Sequence, residues 1–334
     1  MSEAAPSSHD SAYHSPAMWR EVVEIFATSA GVVVDGTLGG GGHSEALLIS
    51  NPELRVLGLD RDDEALEFSR ARLGRFADRV HVVKATFGEL GELIHDARVI
   101  EWIATDRVIG ALFDLGVSSH QLDDPRRGFS FRNSGPLDMR MDSSSDLDLL
   151  SYLATVDERA LARSIAENGE RSFARLLARK ILIAARSGAI RDTAQLREVV
   201  VATLPKAYLA KKTDPATKVF QALRIAVNDE MGQLDSLLES LGEIFAPGAR
   251  ICFISYHSGE DQRVKRAFGR LVQGGCICPA ALGCVCGATV TARSLGRLER
   301  PAPDEIASNP RSRSARLRAI ELIDPLPVAL LRGR

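Results

Sequence analysis

The chain has 334 residues, of which 45% are apolar and 26% charged, with a formal net charge of −2. That is the balance of an ordinary globule with one large or two modest domains, and it excludes a collagen, a disordered chain and a disulfide-stapled miniprotein. The longest apolar runs, such as Ala249 to Tyr256, fall far short of the roughly 18 residues that span a bilayer, so no membrane partner is expected.

Residues 1–13 are polar and lack an apolar h-region, so they read as a disordered tail rather than a signal peptide. With no export signal, the five cysteines are expected as reduced thiols in a cytoplasmic protein. Gly31-Val-Val-Val-Asp35 is predicted as a buried strand, followed by a glycine-rich turn and a helix that ends at Asn51-Pro52. Arg55 to Asp60 is a second strand, and Ala65, Leu66, Phe68 and Leu73 mark the next helix by their spacing. Val80 to Val83 and Val108 to Asp114 are the third and fourth strands. Alternating strands and helices imply a doubly wound α/β domain, with a parallel sheet whose carboxyl-terminal strand ends share one ligand-binding edge.

After Asp114 the pattern changes. Turn-rich chain gives way to the amphipathic stretches Leu150–Glu167, Arg171–Ser187 and Thr193–Leu204, with no convincing strand. Lys218 to Phe245 reads as one long helix stopped by Pro247-Gly248, then Ala249–Ser255 as a fifth strand and Arg316–Leu322 as a final one. An all-helical domain at 122–216 is therefore inserted into a discontinuous α/β domain at 14–121 and 217–325.

The strongest local signal is Val34-Asp35-Gly36-Thr37-Leu38-Gly39-Gly40-Gly41-Gly42-His43-Ser44, directly after the first strand. Glycines let backbone approach a ligand, and the following helix offers free amides to a carboxylate or phosphate. Asp60, at the end of the second strand, suits hydrogen bonds to the two hydroxyls of a ribose. The G-x-G-x-x-G fingerprint is absent, because the sixth position is Ser44 or Glu45. This weakens a dinucleotide reading against an adenosine cofactor without pyrophosphate, such as S-adenosylmethionine. Phe87 is placed to lie against an adenine or simply to pack in the core, and Asp114 stands where amino-group methyltransferases put their catalytic turn. No Pro-Pro pair is present, so the DNA-modifying class with a D/N/S-P-P-Y/F/W motif is not supported.

The strings Gly39-Gly-Gly-Gly-His-Ser44, Leu59-Asp-Arg-Asp62, Phe113-Asp-Leu-Gly-Val-Ser-Ser119, Gln121-Leu-Asp-Asp124, Arg127-Gly-Phe-Ser-Phe131 and Gly135-Pro-Leu-Asp-Met-Arg-Met-Asp142 closely resemble one family. Phe220-Gln-Ala-Leu-Arg-Ile225, His257-Ser258 with Glu260-Asp261, and Asn309-Pro-Arg-Ser-Arg313 add to the likeness. The family is that of ribosomal RNA small subunit methyltransferase H, or MraW, and the resemblance runs from about His14 to Leu322. It implies a Rossmann-like S-adenosylmethionine-dependent methyltransferase fold. It also implies methylation of the exocyclic N4 amino group of a cytidine in the decoding region of 16S rRNA. Carried over by motif, Gly41, Gly42 and His43 hold the methionine end of the cofactor and Asp60 the ribose. Phe87 borders the adenine, while Asp114 and Gln121 complete the pocket. The family's H-S-L-E-D-R departs here to His257-Ser-Gly-Glu-Asp-Gln262, which puts any role of its arginine in doubt.

The substrate's chemistry asks for acceptors that hold the amino hydrogens and a route for the released proton. Asp114 is the acceptor candidate, and His257 and Asp261 are candidates for base and orienter. Charge is uneven: Arg163 to Lys218 holds 12 Lys/Arg against 5 Asp/Glu, and Arg293 to Arg318 holds 7 Arg against 3 acids. The resemblance makes the first of these an RNA-docking segment. Cys276, Cys278, Cys284 and Cys286 could make a zinc site. Their C-x-C spacing is less typical than C-x2-C and methyl transfer needs no metal, so reduced thiols and no metal are expected. The competing functions are an NAD-dependent oxidoreductase and a non-catalytic RNA-binding assembly factor of the same fold. The sequence leaves monomer and homodimer open.

Overall fold

A computed structural model of the protein describes residues 16–209, 214–275, 278, 286, 289–296 and 299–323. The tail at 1–13, Cys276 and Cys284 lie outside the described residues. The chain groups into two compact units, residues 1–116 with 232–334 and residues 117–231.

The first unit is built on one seven-stranded sheet. Its strands are β1 (Gly31–Asp35), β2 (Leu54–Asp60), β3 (Val80–Lys84), β4 (Val108–Asp114), β5 (Arg250–Ser255), β6 (Ala292–Ser294) and β7 (Arg316–Leu322), in the spatial order β3-β2-β1-β4-β5-β7-β6. The β1–β2, β2–β3, β1–β4 and β4–β5 pairings are parallel, whereas β7 runs antiparallel to both β5 and β6. The doubly wound, Rossmann-like α/β class read from the sequence is the fold observed. Buried parallel strands are continuous apolar runs because helices cover both faces. Val32, Val33 and Val34 of β1 and Ile251, Cys252, Phe253 and Ile254 of β5 are all at most 1% exposed.

Residue alternation sends one set to each face. Val33, Leu112, Cys252 and Ile254 pack with Met18, Val22, Phe26 and Leu47. On the other face Phe113 stacks on Phe253 with ring centroids 4.7 Å apart, and Phe268 meets Phe253 edge-on at 5.7 Å. The order reverses between β1 and β4, and their adjacent carboxyl ends open the crevice in which ligands of such sheets bind. β6 was not anticipated: three residues, Ala-Arg-Ser, carry no legible period.

The second unit is helical, around Leu153, Leu161, Ile165, Leu177, Ile181, Leu196, Val200, Val219 and Leu223. Two expected helices are each broken in two. Leu150–Glu167 becomes Leu149–Thr155 and Glu158–Asn168, because Asp157 caps the second piece by accepting from the Ala160 amide at 2.8 Å. Lys218–Phe245 becomes Ala216–Val227 and Glu230–Ile244. Asp229 adopts φ 47, and the Asn228 amide group donates to the carbonyls of Met139 (2.7 Å) and Arg224 (2.8 Å). The Asn228 Oδ1 accepts from the Met141 amide at 2.7 Å. The helix Ala216–Val227 thereby groups with the helical unit, where the sequence reading had assigned residues from 217 onward to the α/β domain.

The same loop explains two strings of the family motif. Arg127, 7% exposed, donates to the carbonyls of Arg140 and Met141 at 3.1 and 2.8 Å. Gly128 has φ +70, and a Cβ there would lie 2.2 Å from the Pro136 carbonyl oxygen. Asn228→Ala removes three bonds from this buried junction, and we expect a loss of about 3 kcal/mol of stability, read as a lower urea midpoint.

Candidate active site

The glycine-rich turn after β1 is tied down on both sides. The Gly36 amide donates to the Leu112 carbonyl at 2.9 Å and the Leu38 amide to the Leu59 carbonyl at 2.8 Å. Thr37 Oγ1 accepts from the Asp114 amide at 2.6 Å. Asp35, 1% exposed, accepts from the Ser44 hydroxyl at 2.6 Å and the Thr37 amide at 3.3 Å. Burial raises its carboxyl above the usual range against the opposing influence of His43 and Ser44. Asp35 therefore closes the turn from within. A Cβ on Gly36 would fall 2.3 Å from the Phe113 ring, so this position takes no side chain.

The turn ends at Gly41, φ 74, which begins the helix Gly42–Ser50 without any side-chain cap. The first amides of that helix are thus left to a ligand or water. A second anchor reaches the turn from the helix Asp63–Leu73. Arg72 Nη1 donates to the Gly40 carbonyl at 3.2 Å, while its Nε donates to Glu45 Oε2 at 2.8 Å. Glu45 is 2% exposed and also receives Arg75 at 2.9 Å.

Asp60 lies beside the turn at the end of β2. Its Oδ2 accepts from the Gly39 amide at 2.7 Å and its Oδ1 from the Asp62 amide at 2.9 Å. A carboxylate offers about four lone-pair sites, so beyond its backbone donors Asp60 retains acceptor capacity for a ribose hydroxyl. Burial pushes this carboxyl up to about 6. Phe87 is half-buried and meets Phe113 edge-on at 6.3 Å.

Asp114 ends β4. Its Oδ1 accepts from the Tyr256 hydroxyl at 2.9 Å, and its Oδ2 lies 3.9 Å from His43 Nδ1. Burial pushes the carboxyl up to about 7, partly offset by the Tyr256 hydrogen bond and reinforced by Glu260 and Glu305. His43 is buried with Nε2 2.8 Å from the Ala17 carbonyl, which can only accept, so Nε2 carries the proton. Burial lowers the imidazole pKa, leaving it neutral with a bare Nδ1 facing Asp114. At 3.9 Å the two form neither a hydrogen bond nor, with the ring neutral, an ion pair.

Turn glycines, His43, Asp60, Phe87 and Asp114 thus sit on the carboxyl edge of one sheet. The other expected residues are engaged elsewhere. His257 is the N-cap of the helix Ser258–Gln273: its Nδ1 accepts from the amides of Gly259 and Glu260 at 3.1 and 3.4 Å. Its Nε2 lies 3.0 Å from Glu260 Oε1. Asp261 takes Arg316 at 2.9 Å and Arg318 at 2.7 Å from β7. Burial would raise its carboxyl, but Arg318 and Arg316 outweigh that and hold it below the usual range. Among the described residues the two share no side-chain hydrogen bond, so the structure does not make the expected pair of base and orienter. Gln121 belongs to the helical unit, where it closes a capping box with Ser118.

Sequence reasoning missed Tyr256, Arg72 and Glu260. Tyr256 could have been found as the first residue after β5, on the same edge as Asp114. Nothing local marks Arg72. Among the described residues, no group of the expected cysteines forms a metal site; only Cys278 and Cys286 of the four are described.

A family profile described as the MraW methylase family matches residues 11–323. A protein of Anaeromyxobacter dehalogenans named ribosomal RNA small subunit methyltransferase H is 46% identical over 312 residues, covering 92% of this chain and 97% of its own. The protein of that name from Geobacter sulfurreducens is 44% identical, covering 92% and 98%. That from a Nitratiruptor strain is 41% identical, again covering 92% and 98%.

Proposed function

Because the chain belongs to the MraW methylase family, we propose that it methylates the exocyclic N4 amino group of a cytidine. The base lies in the decoding region of the 16S rRNA of the small ribosomal subunit, and the methyl donor is S-adenosyl-L-methionine. The observation that carries this reading is Asp114. It is a half-buried acid at the end of β4 with one oxygen held by Tyr256 and its pKa raised to about 7, on the same sheet edge as the glycine turn and Asp60.

The residues present fit that donor. The uncapped helix start at Gly41-Gly42 suits an amino acid carboxylate. Asp60 keeps acceptor capacity for a ribose hydroxyl, and half-buried Phe87 offers an apolar edge to an adenine. When bound, S-adenosylmethionine supplies an electrophilic methyl group on a sulfonium. Cytosine's amino nitrogen is a poor nucleophile because its lone pair is delocalised into the ring. Ionised Asp114 accepts one amino hydrogen through Oδ2, which orients the nitrogen and takes the proton after transfer. A carboxylate near pKa 7 is matched to that task at neutral pH. Tyr256 fixes the other oxygen, and neutral His43 adds no competing positive charge. Asp261, locked between two arginines, braces the helix after β5 against β7.

The helical unit docks RNA in this reading. On the helix Ala174–Arg186, Arg175, Arg179 and Lys180 are exposed while Leu177, Ala178, Ile181 and Leu182 are buried, a basic face suited to phosphates. The target base is single-stranded or extruded.

Labelled S-adenosylmethionine incubated with small subunits lacking the modification tests the reaction. N4-methylated cytidine is expected on nucleoside mass spectrometry. Cofactor binding without any labelled RNA would leave a non-catalytic assembly factor as the better reading.

A further inference from the structure

The second basic island of the sequence folds around a cavity that the methyl-transfer chemistry does not use. The cavity measures about 120 Å³ and is lined by Tyr256, His257, Ser258, Arg300, Arg313 and Arg316, and no carboxylate lines it. Arg316 is committed to Asp261 at 2.9 Å. Arg300 and Arg313 are exposed and pair with no carboxylate among the described residues. Arg313 is presented by a short 3-10 turn, Pro310–Ser314, in which buried Ser312 donates to the Asn309 carbonyl at 2.8 Å. Ser258 adds a hydroxyl at the first position of a 16-residue helix.

Folding brings these cations together against their mutual repulsion. On a chain with a net charge of −2, a cationic cavity without acids is built for an anion. Its volume is several times the ~10–15 Å³ that admits one water, enough for a phosphate group. Tyr256 ties it to the acid: the residue lines the cavity and its hydroxyl donates to Asp114 at 2.9 Å.

We propose that this cavity binds a phosphodiester group of the substrate RNA next to the nucleotide presented to Asp114, with Arg300 and Arg313 as its ligands. The inference rests on the RNA-methylation reading above and names the contact that sets the register of the strand, since phosphate contacts position while base contacts specify. A guanidinium meets a phosphate with two parallel N–H donors, which makes arginine the suited residue.

The test uses the full-length protein, undermethylated small subunits and their purified RNA, with Arg300→Gln, Arg313→Gln and Arg313→Lys. Each glutamine variant is expected to raise KM for the subunit about tenfold, with kcat and the Kd for cofactor unchanged. Each should also lessen the slope of log affinity against log salt by about one. Arg313→Lys regains part of the affinity, keeping the charge without the paired donors, which a loss of folding would not allow. RNA binding is measured in parallel by filter retention, which needs no turnover. Unchanged KM, RNA affinity and salt slope in both glutamine variants would overturn the phosphate site and leave methylation standing. Arginine-dependent RNA binding without labelled product would overturn the methylation reading and support the site. Inorganic phosphate at constant ionic strength is the free-anion probe: a variant-sensitive Kd for it, with RNA affinity unmoved, overturns the assignment to RNA.

Discussion

Replacing Asp114 with asparagine is expected to lower methyl transfer by about 10²–10⁴-fold, the usual worth of a positioned base, while cofactor affinity changes far less. The variant keeps the shape and still accepts from Tyr256, so the loss reports the missing charge. In the unaltered protein kcat should rise with pH through about 7 and then level off, because burial holds the Asp114 carboxyl there. Tyr256→Phe removes the hydrogen bond that opposes this shift, so the limb should move about one unit to higher pH. A limb that stays in place would detach Tyr256 from the acid's chemistry. Stability follows with the opposite sense. A carboxyl whose pKa is raised by folding stabilises the fold fully only below its unfolded value near 4, and that contribution is lost as pH rises through about 7. Asp114→Asn is therefore expected to melt higher than the parent at pH 8, by roughly 2 kcal/mol, and no higher at pH 4.

The second large effect lies at Arg72, which no motif marks. Arg72→Ala leaves Glu45, 2% exposed, with only the half-exposed Arg75 as partner. An uncompensated buried carboxylate costs about 3–5 kcal/mol, and Arg75 brings the expectation to about 3. The same change frees the Gly40 carbonyl, so affinity for S-adenosylhomocysteine should fall at least tenfold by calorimetry. Adding Glu45→Leu removes the stranded charge, and the double variant should regain much of the stability but not the affinity. Recovery of both would show that the arginine holds the helices together and does nothing for the turn.

The strands were legible because a parallel sheet buried on both faces leaves an unbroken apolar run, as in Gly31–Asp35 and Val108–Asp114. The acids of the candidate site were legible for a topological reason: the ends of parallel strands share one edge, so the placement of Asp60 and Asp114 on it follows once the strands are known. Boundaries set by distant partners were not. The apolar stripe from Ala216 to Ile244 continues across Asn228-Asp229, and only the carbonyl of Met139 and the amide of Met141 show why the helix stops there. What His257 and Asp261 bond to was hidden for the same reason. Their residue types suit proton transfer, but one is consumed by capping the next helix and the other by two arginines of β7. A resemblance supplies positions; it does not say which of them brace and which react.

The placement of the helical unit between β4 and β5 also governs how the polypeptide emerges during synthesis. The β4 strand pairs β1 on one side early, yet its other edge waits for β5, roughly 135 residues later, which at ~5–20 residues per second leaves it open for about 7–27 s. During that interval Ala111, Leu112 and Phe113 have no strand beside them on the β5 side. The insertion compensates in part: once it has collapsed on its own core, the loop to be closed is spanned by a compact body instead of a free coil, which lowers the entropy of joining β5 to the nascent sheet.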